Sequence, residues 1–389
     1  MGILKLNELT KNAATYSIKP NTVIIDGNNL VINYLTSIYS SLMKTYPNAE
    51  WKCVDMPVLK QLYYIYTDTT NSITKTLNII KMRMTINEHN VIVVFDPINP
   101  TYMINGQTMN LKELEQQKRK TTQSKEAIMK SIINQLTLQG RESEIQEFKE
   151  HFHFAELSNL LKLIPLIIKS VVNNVDGVLF VQAQSEADLV IANLAGVFSY
   201  STVLIMSMDT DYLVLVSDIP NVYKTDIKLK QPIFYPYQLW RDVFGENINF
   251  DDISFIATLS GNDYTAHASI MSFNVKDYKN FIDGDYQALS RKHKIKNFQT
   301  PDDLNDVFKI SYDLYHCITQ NFDCFEYERT VILGGSTIST TSTDETEELD
   351  PDLIEFAKKF DNTLDENLNI ITDSKSYLNN LLLTSEFEL

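Results

Sequence analysis

The chemistry open to this sequence is carried by seven carboxylates. Asp26 closes the run TVIID (22–26) and Asp96 closes VIVVFD (91–96). Glu186 and Asp188 follow GVLFVQ (177–182), Asp209 ends TVLIMSMD (202–209) with Asp211 two residues on, and Asp263 stands in LSGNDY (259–264). Taken singly, each has an ordinary explanation. An aspartate at a strand end is usually a turn residue, and acids in the first helical turn behind a capping Ser185 suit the helix dipole. The set is different, because desolvated carboxylates crowded on one edge repel one another by several kcal/mol per pair, to an order of magnitude. Something positive must offset them. No histidine or cysteine stands among them, and an all-oxygen donor set suits Mg²⁺ or Mn²⁺ and disfavours zinc. Two such ions, roughly 3.5–4 Å apart, would use this many acids and would serve hydrolysis of a phosphodiester.

The elements that position the acids are legible in the same runs. All four are continuously apolar, the pattern of strands covered on both faces of a parallel sheet. Helical patterns alternate with them, 58–84 and 185–195 being the clearest, so the expected fold is a doubly wound α/β domain. In such a sheet the carboxyl ends of the strands share one edge, which brings the acids together. Between the second and third strands the chain turns polar from Thr101 to about Gly140 and carries Lys112, Lys118, Arg119, Lys120, Lys125 and Lys130. This reads as a helical insertion, with further helix over 143–173. After Asp263 the pattern is helical and tyrosine-rich. The segment GGSTISTTSTDETEELDP (334–351) is a polar, acidic linker, followed by a helical piece at 352–360 and a tail. No internal repeat is present.

The totals bound the rest. The chain has 389 residues, 44% hydrophobic and 22% charged, which describes a globular protein with a real core. Fifty acidic against 34 basic residues give a net charge of -16, which disfavours a general nucleic-acid coat; contact with phosphates must be concentrated in a basic patch or mediated by metal. Cys53, Cys317 and Cys324 have no zinc spacing and suggest no disulfide framework, so a reducing compartment fits. The start MGILKLNELTKN lacks an apolar signal region, Leu6 stands where a myristoylation signal requires Ser or Thr, and no run approaches the roughly 20 apolar residues of a membrane span. A soluble intracellular protein without a membrane partner is expected. His151, His153 and His267 read as surface or packing residues.

Five stretches, IDGNN (25–29), VVFDP (93–97), QSEADLVIANLA (184–195), SMDTDYL (207–213) and LSGNDY, resemble in order and approximate spacing the acidic motifs of the flap endonuclease family of structure-specific 5′ nucleases. The MGI start is similar too, and the likeness covers residues 1 to about 264. It implies a PIN-like 5′-nuclease fold, a central mainly parallel sheet flanked by helices with a helical arch and a helical C-terminal region. It further implies that Asp26, Asp96, Glu186 and Asp188 hold one Mg²⁺, for which Mn²⁺ can substitute. Asp209, Asp211 and Asp263 would hold or orient a second. Family members carry a Lys and an Arg seven positions apart at the base of the arch, against the scissile phosphate. Lys112 and Arg119 have that spacing, which puts both on one helix face, a geometry that also fits an ordinary solvated face. The implied division is a nuclease core at 1–264 with the arch at about 97–173, a diverged helical DNA-binding region at 265–330, a linker at 331–351 and a tail at 352–389.

The departures matter as well. The glycine-rich turn that follows the last acidic motif in the family is replaced by TAHASIMSFNVKDYKNFI (265–282), leaving Lys276, Lys279, Arg291, Lys292, Lys294 and Lys296 as candidate phosphate contacts. Lys118, Lys120 and Lys125 are further candidates in the arch. The position of the family's base-stacking tyrosine is Ile32 here, with Tyr34 two residues on. No sliding-clamp motif ends the chain. The diverged middle and the composition look most like the flap-endonuclease-like proteins of poxviruses and other large DNA viruses. That likeness implies a role in viral DNA replication, recombination or double-strand break repair in a cytoplasmic factory, with a nuclear site as the alternative. The expected partner is flapped, branched or broken DNA. Two other readings stand beside it: a viral messenger-RNA endonuclease on the same fold, since RNA offers the metals the same phosphodiester, and a catalytically silent DNA-binding scaffold.

Overall fold

A computed structural model describes residues 6–45 except Asn12, 58–84, 90–96, 101–104, 107–110, 133–141 except Gln135, Ile145, 157–183, 187–260 except Gln231, Tyr278, Lys279, Asp352, Glu355, Phe356 and Lys359. At its centre is a five-stranded, wholly parallel sheet: β1 (Thr22–Asp26), β2 (Asn90–Phe95), β5 (Leu179–Gln182), β6 (Val203–Met206) and β7 (Val222–Thr225). The strand order is β5-β2-β1-β6-β7, so β1 is the central strand. Register pairs Asp26 with Val94 on one side and Ile25 with Met206 on the other, and Met206 in turn with Thr225. The four expected strands are present. The fifth, VYKT, was hidden by the lysine in its middle, which breaks the apolar run.

Alternate residues of the strands divide between two cores, as the two-residue period of a strand requires. Val23, Ile25, Val91, Val93, Phe95, Leu204 and Met206 pack against α2 (Gly27–Thr45), α3 (Val58–Met84) and α4 (Leu157–Asn174). Ile24, Ile92, Val94, Val181, Val203, Ile205 and Val222 pack against α5 (Ala187–Val197), α6 (Tyr212–Leu215), α7 (Pro236–Phe244) and α8 (Phe250–Ser260). A short α1 (Asn7–Thr10) adds Leu9 to the second core. Helix α5 is buried along almost its whole length, Ala187 to Ala195 apart from Asp188, which explains why its sequence is apolar all round rather than amphipathic. Trp240 of α7 closes that layer, its indole N–H donating to the Leu213 carbonyl at 2.6 Å. Helix α8 starts with a reciprocal cap: the Asp252 amide donates to Asn249 Oδ1 at 2.9 Å and the Asn249 amide to Asp252 Oδ2 at 3.4 Å.

Two expectations about the insertion change. Its first part is an antiparallel hairpin, β3 (Thr101–Ile104) with β4 (Gln107–Asn110), rather than helix. Asn105-Gly106, the strongest two-residue hairpin signal, stands between two runs rich in Thr, Met and Ile, and the lysines that follow had drawn the reading toward helix. Its last part is not arch at all. Helix α4 packs Leu160, Leu163, Leu166, Ile167, Ile168 and Val171 into the core beside α2 and α3, so it belongs to the sheet's own covering layer. Most of 111–156 lies outside the described residues, as do most of 261–351 and the tail. Phe356, in the helical piece expected at 352–360, is buried between Tyr63 and Tyr66 of α3, at ring-centroid distances of 5.3 and 5.2 Å. Among the described residues no helix is long and apolar enough to cross a membrane.

Candidate metal centre at the carboxyl edge

The parity that divides the core also builds the site. Asp26 continues the face of Ile24, Ser207 that of Val203 and Ile205, and Lys224 that of Val222, so the three meet on the side of the sheet covered by α5. Asp26 is only 6% exposed. Its Oδ1 accepts the Asn29 amide at 2.9 Å, which makes it the N-cap of α2, and its Oδ2 accepts the Ser207 hydroxyl at 2.9 Å. The turn-residue explanation of Asp26 is therefore correct as far as it goes, yet the same carboxylate faces the cluster. Burial, with Asp96 and Asp209 nearby, pushes it up to about 7 in spite of those two hydrogen bonds.

Asp96 is gripped on both sides. Asn28 donates from Nδ2 to Asp96 Oδ2 at 3.0 Å and accepts the Asp96 amide on Oδ1 at 3.1 Å, a two-point clamp across the β1–β2 edge. The other carboxylate oxygen accepts the Ala187 amide at 2.9 Å, so Asp96 itself satisfies the start of α5. Ser185, expected in that capping role, lies outside the described residues. Asn29 reaches the opposite neighbour and accepts the Met208 amide on its Oδ1 at 3.2 Å. The two asparagines of IDGNN thus tie β1 to the loops after β2 and β6. Gly27 lets this happen: a Cβ there would stand 2.8 Å from the Val94 carbonyl oxygen and 2.4 Å from the Phe95 ring.

The loop after β6 is organised by Ser207. Its hydroxyl donates to Asp26 and accepts the Asp209 amide at 3.0 Å. Asp209 Oδ1 then accepts the Asp211 amide at 3.2 Å, and Asp211, buried at 2% exposure, leads into α6. The next residue, Tyr212, is fully buried and donates its hydroxyl to Asp188 Oδ1 at 2.5 Å, joining α5 to the same loop. Burial first, and then the charge of Asp188, hold that phenol well above its usual range.

A cation sits in this wall. Lys224 of β7 is 3% exposed and donates from Nζ to the Ser207 carbonyl at 3.2 Å. Burial pushes its ammonium down to about 8, against the opposing pull of Asp209, Asp226, Asp26 and Asp211. Part of the positive charge that the acids require is therefore in the chain itself.

The structure brings Asp26, Asp96, Asp188, Asp209 and Asp211 to one edge. Glu186 and Asp263 lie outside the described residues, as do Lys112, Arg119, Lys118, Lys120, Lys125, Lys276 and Lys292; Lys279 is exposed. Among the described residues no three acidic, histidine or cysteine side chains form a finished metal cage. The donor chemistry nonetheless fits a hard divalent cation: carboxylate oxygens only, with a buried Asp26 whose ionised form needs a positive neighbour. Tyr34 is placed in packing between α2 and α3. Its hydroxyl shares a 2.7 Å hydrogen bond with Thr76 Oγ1, and the Lys228 ammonium lies 5.4 Å from its ring centre. Sequence reasoning passed over Asn28, Asn29, Ser207, Lys224 and Tyr212. For the first three the signal was adjacency to an acid at a strand end; for Lys224 it was a lone charge in an otherwise strand-like run.

No protein-family model matches the chain, and no curated protein matches it by sequence. Among solved structures it is similar to the bacteriophage T5 flap endonuclease in a pseudo-enzyme-product complex with DNA and metal ions, at 9% identity and a TM-score of 0.40, over 94% of this chain and 99% of that one. It is similar to the catalytic core of Rad2 in complex with DNA substrate, at 14% identity and a TM-score of 0.41, over 82% and 79%. It is also similar to T5 5′-exonuclease with bound zinc ions, at 10% identity and a TM-score of 0.36, over 94% and 98%. Similarity at this level carries no residue-by-residue correspondence.

Proposed function

We propose that the protein is a metal-dependent, structure-specific 5′ nuclease that hydrolyses phosphodiesters of DNA flaps or ends. The observation that carries this reading is the convergence of Asp26, Asp96 and the Asp209–Asp211 loop on one edge of a parallel sheet, each carboxylate or its loop held in place by Asn28, Asn29 or Ser207. Carboxylates fixed this firmly by neighbouring side chains suit ligands better than turn residues. The five ordered motifs of the sequence support the same reading.

Mg²⁺ or Mn²⁺, as a pair in this reading, would lower the pKa of a water and stabilise the leaving oxygen. Asp26, Asp96, Glu186 and Asp188 would hold one ion; Asp209, Asp211 and Asp263 would hold or orient the other. The chain's own work is positional. Asn28 fixes the Asp96 carboxylate, Ser207 fixes Asp26 and the Asp209 backbone, and Tyr212 fixes Asp188. Lys112 and Arg119 would grip the scissile phosphate from the insertion, with Lys118, Lys120, Lys125, Lys276, Lys279 and Lys292 along the nucleic acid. A viral origin of the poxvirus type, with work in DNA replication, recombination or break repair in the cytoplasm, completes the proposal.

The test is a substrate panel. The wild type, Asp209→Asn and Lys112→Ala are offered labelled 5′ flaps, nicked duplex and single-stranded RNA with Mg²⁺ or Mn²⁺. Flap cleavage lost in Asp209→Asn, and strongly slowed in Lys112→Ala with metal binding kept, is the expected result. Preference for the RNA would replace DNA by messenger RNA as substrate, and no cleavage of any substrate would leave a binding scaffold.

A further inference from the structure

Lys224 has no place in a wall of metal ligands. An ammonium buried in a strand loses its hydration at a cost, and Val or Ile would serve the strand better. Worse, it stands where it repels any divalent cation that enters. Its position makes sense only for the protein before the ion arrives. Asp209, Asp26, Asp211 and Asp226 all lie within its electrostatic reach. Ser207 couples it to them directly, taking the ammonium on its carbonyl while its hydroxyl bonds Asp26 and the Asp209 amide.

We infer that Lys224 is a resident counter-charge: it holds the acidic edge together in the ion-free protein and lowers the affinity of that edge for divalent ions. The two effects have opposite signs, and that separates this role from simple packing. If Lys224 only fills space or props the Ser207 loop, removing it loosens the ligands and weakens metal binding. If it is a counter-charge, removing it destabilises the ion-free fold and tightens metal binding.

The experiment is a calorimetric titration of Mn²⁺ into the wild type, Lys224→Met and Lys224→Gln, with guanidinium unfolding of each protein in a chelator. Glutamine keeps a donor for the Ser207 carbonyl and removes only the charge. Both variants are expected to bind Mn²⁺ about tenfold more tightly or better, from the removal of one nearby unit charge facing a divalent ion. Both should unfold more easily without metal. Unchanged or weaker Mn²⁺ binding by Lys224→Gln overturns the inference. The affinity arm rests on the proposed metal site; a wild type that binds no Mn²⁺ defeats that site, and the inference is then decided by a second arm that needs no metal. Asp209→Asn, introduced into Lys224→Met, should recover part of the lost stability. Strictly additive losses in the double variant would mean that Lys224 does not balance the acids.

Discussion

Replacing Gly27 by alanine should destabilise the protein by about 1–2 kcal/mol, although alanine is the better helix residue. Gly27 is the first residue of α2 and directly follows Asp26. A Cβ built there lies 2.4 and 2.5 Å from Cδ1 and Cε1 of Phe95, and 2.8 Å from the carbonyl oxygen of Val94. Ordinary carbon contacts are about 3.5–4.0 Å, so the overlap is about 1 Å. Neither neighbour is free to yield. The Phe95 ring is 2% exposed and lies parallel to Phe180, at 6.2 Å and 13°, while the Val94 carbonyl belongs to a strand held on both sides. Overpacking of this kind costs about 1–3 kcal/mol and occasionally more; the reduced freedom of the unfolded chain returns only about 0.4–1 kcal/mol. For a chain of 389 residues, with about 2.1 cal/mol/K of unfolding entropy per residue, the net loss lowers the melting temperature by about 1–3 °C. Asp96 follows Phe95, so displacement of the ring should weaken Mn²⁺ binding as well. Guanidinium unfolding and thermal melting of Gly27→Ala read the first effect and calorimetry the second. A variant within about 0.5 kcal/mol of wild type would refute the close-approach reasoning, since surface substitutions commonly stay inside that range.

Two other predictions concern the acids. Ser207→Ala removes the donor to Asp26 Oδ2 and the acceptor for the Asp209 amide; it should cost about 2–3 kcal/mol in chelator and weaken Mn²⁺ binding, read by unfolding and calorimetry. Asp26, raised to about 7, must lose its proton to bind a cation, so Mn²⁺ affinity should fall about tenfold per pH unit below that value and level off above it. The sign for stability is opposite. Between the unfolded carboxyl value of about 4 and the folded value, the ion-free protein holds more protons at Asp26 than the unfolded chain, so this group makes it less stable as the pH rises through that window. Melting in chelator against pH reads this, and saturating Mn²⁺ should reverse the slope.

Much of the architecture was readable because four strands are buried on both faces and show as unbroken apolar runs ending in acids. What was not readable had specific causes. VYKT looked unlike a strand because Lys224 interrupts it, and that lysine is tolerable only beside carboxylates that come from β1 and from the loop after β6. The β3–β4 hairpin was masked by the lysine-rich segment that follows it, although Asn105-Gly106 offered the signal. Helix α4 precedes β5 in the chain, where sequence alone places it in the insertion, while its packing against α3 is a tertiary fact. At the candidate site, types and spacing singled out the acids, whereas the supports of those at the sheet edge needed geometry. Asn28 and Asn29 look interchangeable in sequence, yet one clamps Asp96 and the other the Met208 amide. Tyr212 looked like core, and it is, with its hydroxyl turned to Asp188.

The central claim is that the carboxyl edge of this sheet holds divalent cations. Crystals grown or soaked in Mn²⁺ and measured for anomalous scattering test it most directly. Manganese density is expected beside Asp26, Asp96 and Asp209, lost in Asp209→Asn or sharply reduced. Well-ordered carboxylates with no anomalous density at saturating Mn²⁺ would contradict it.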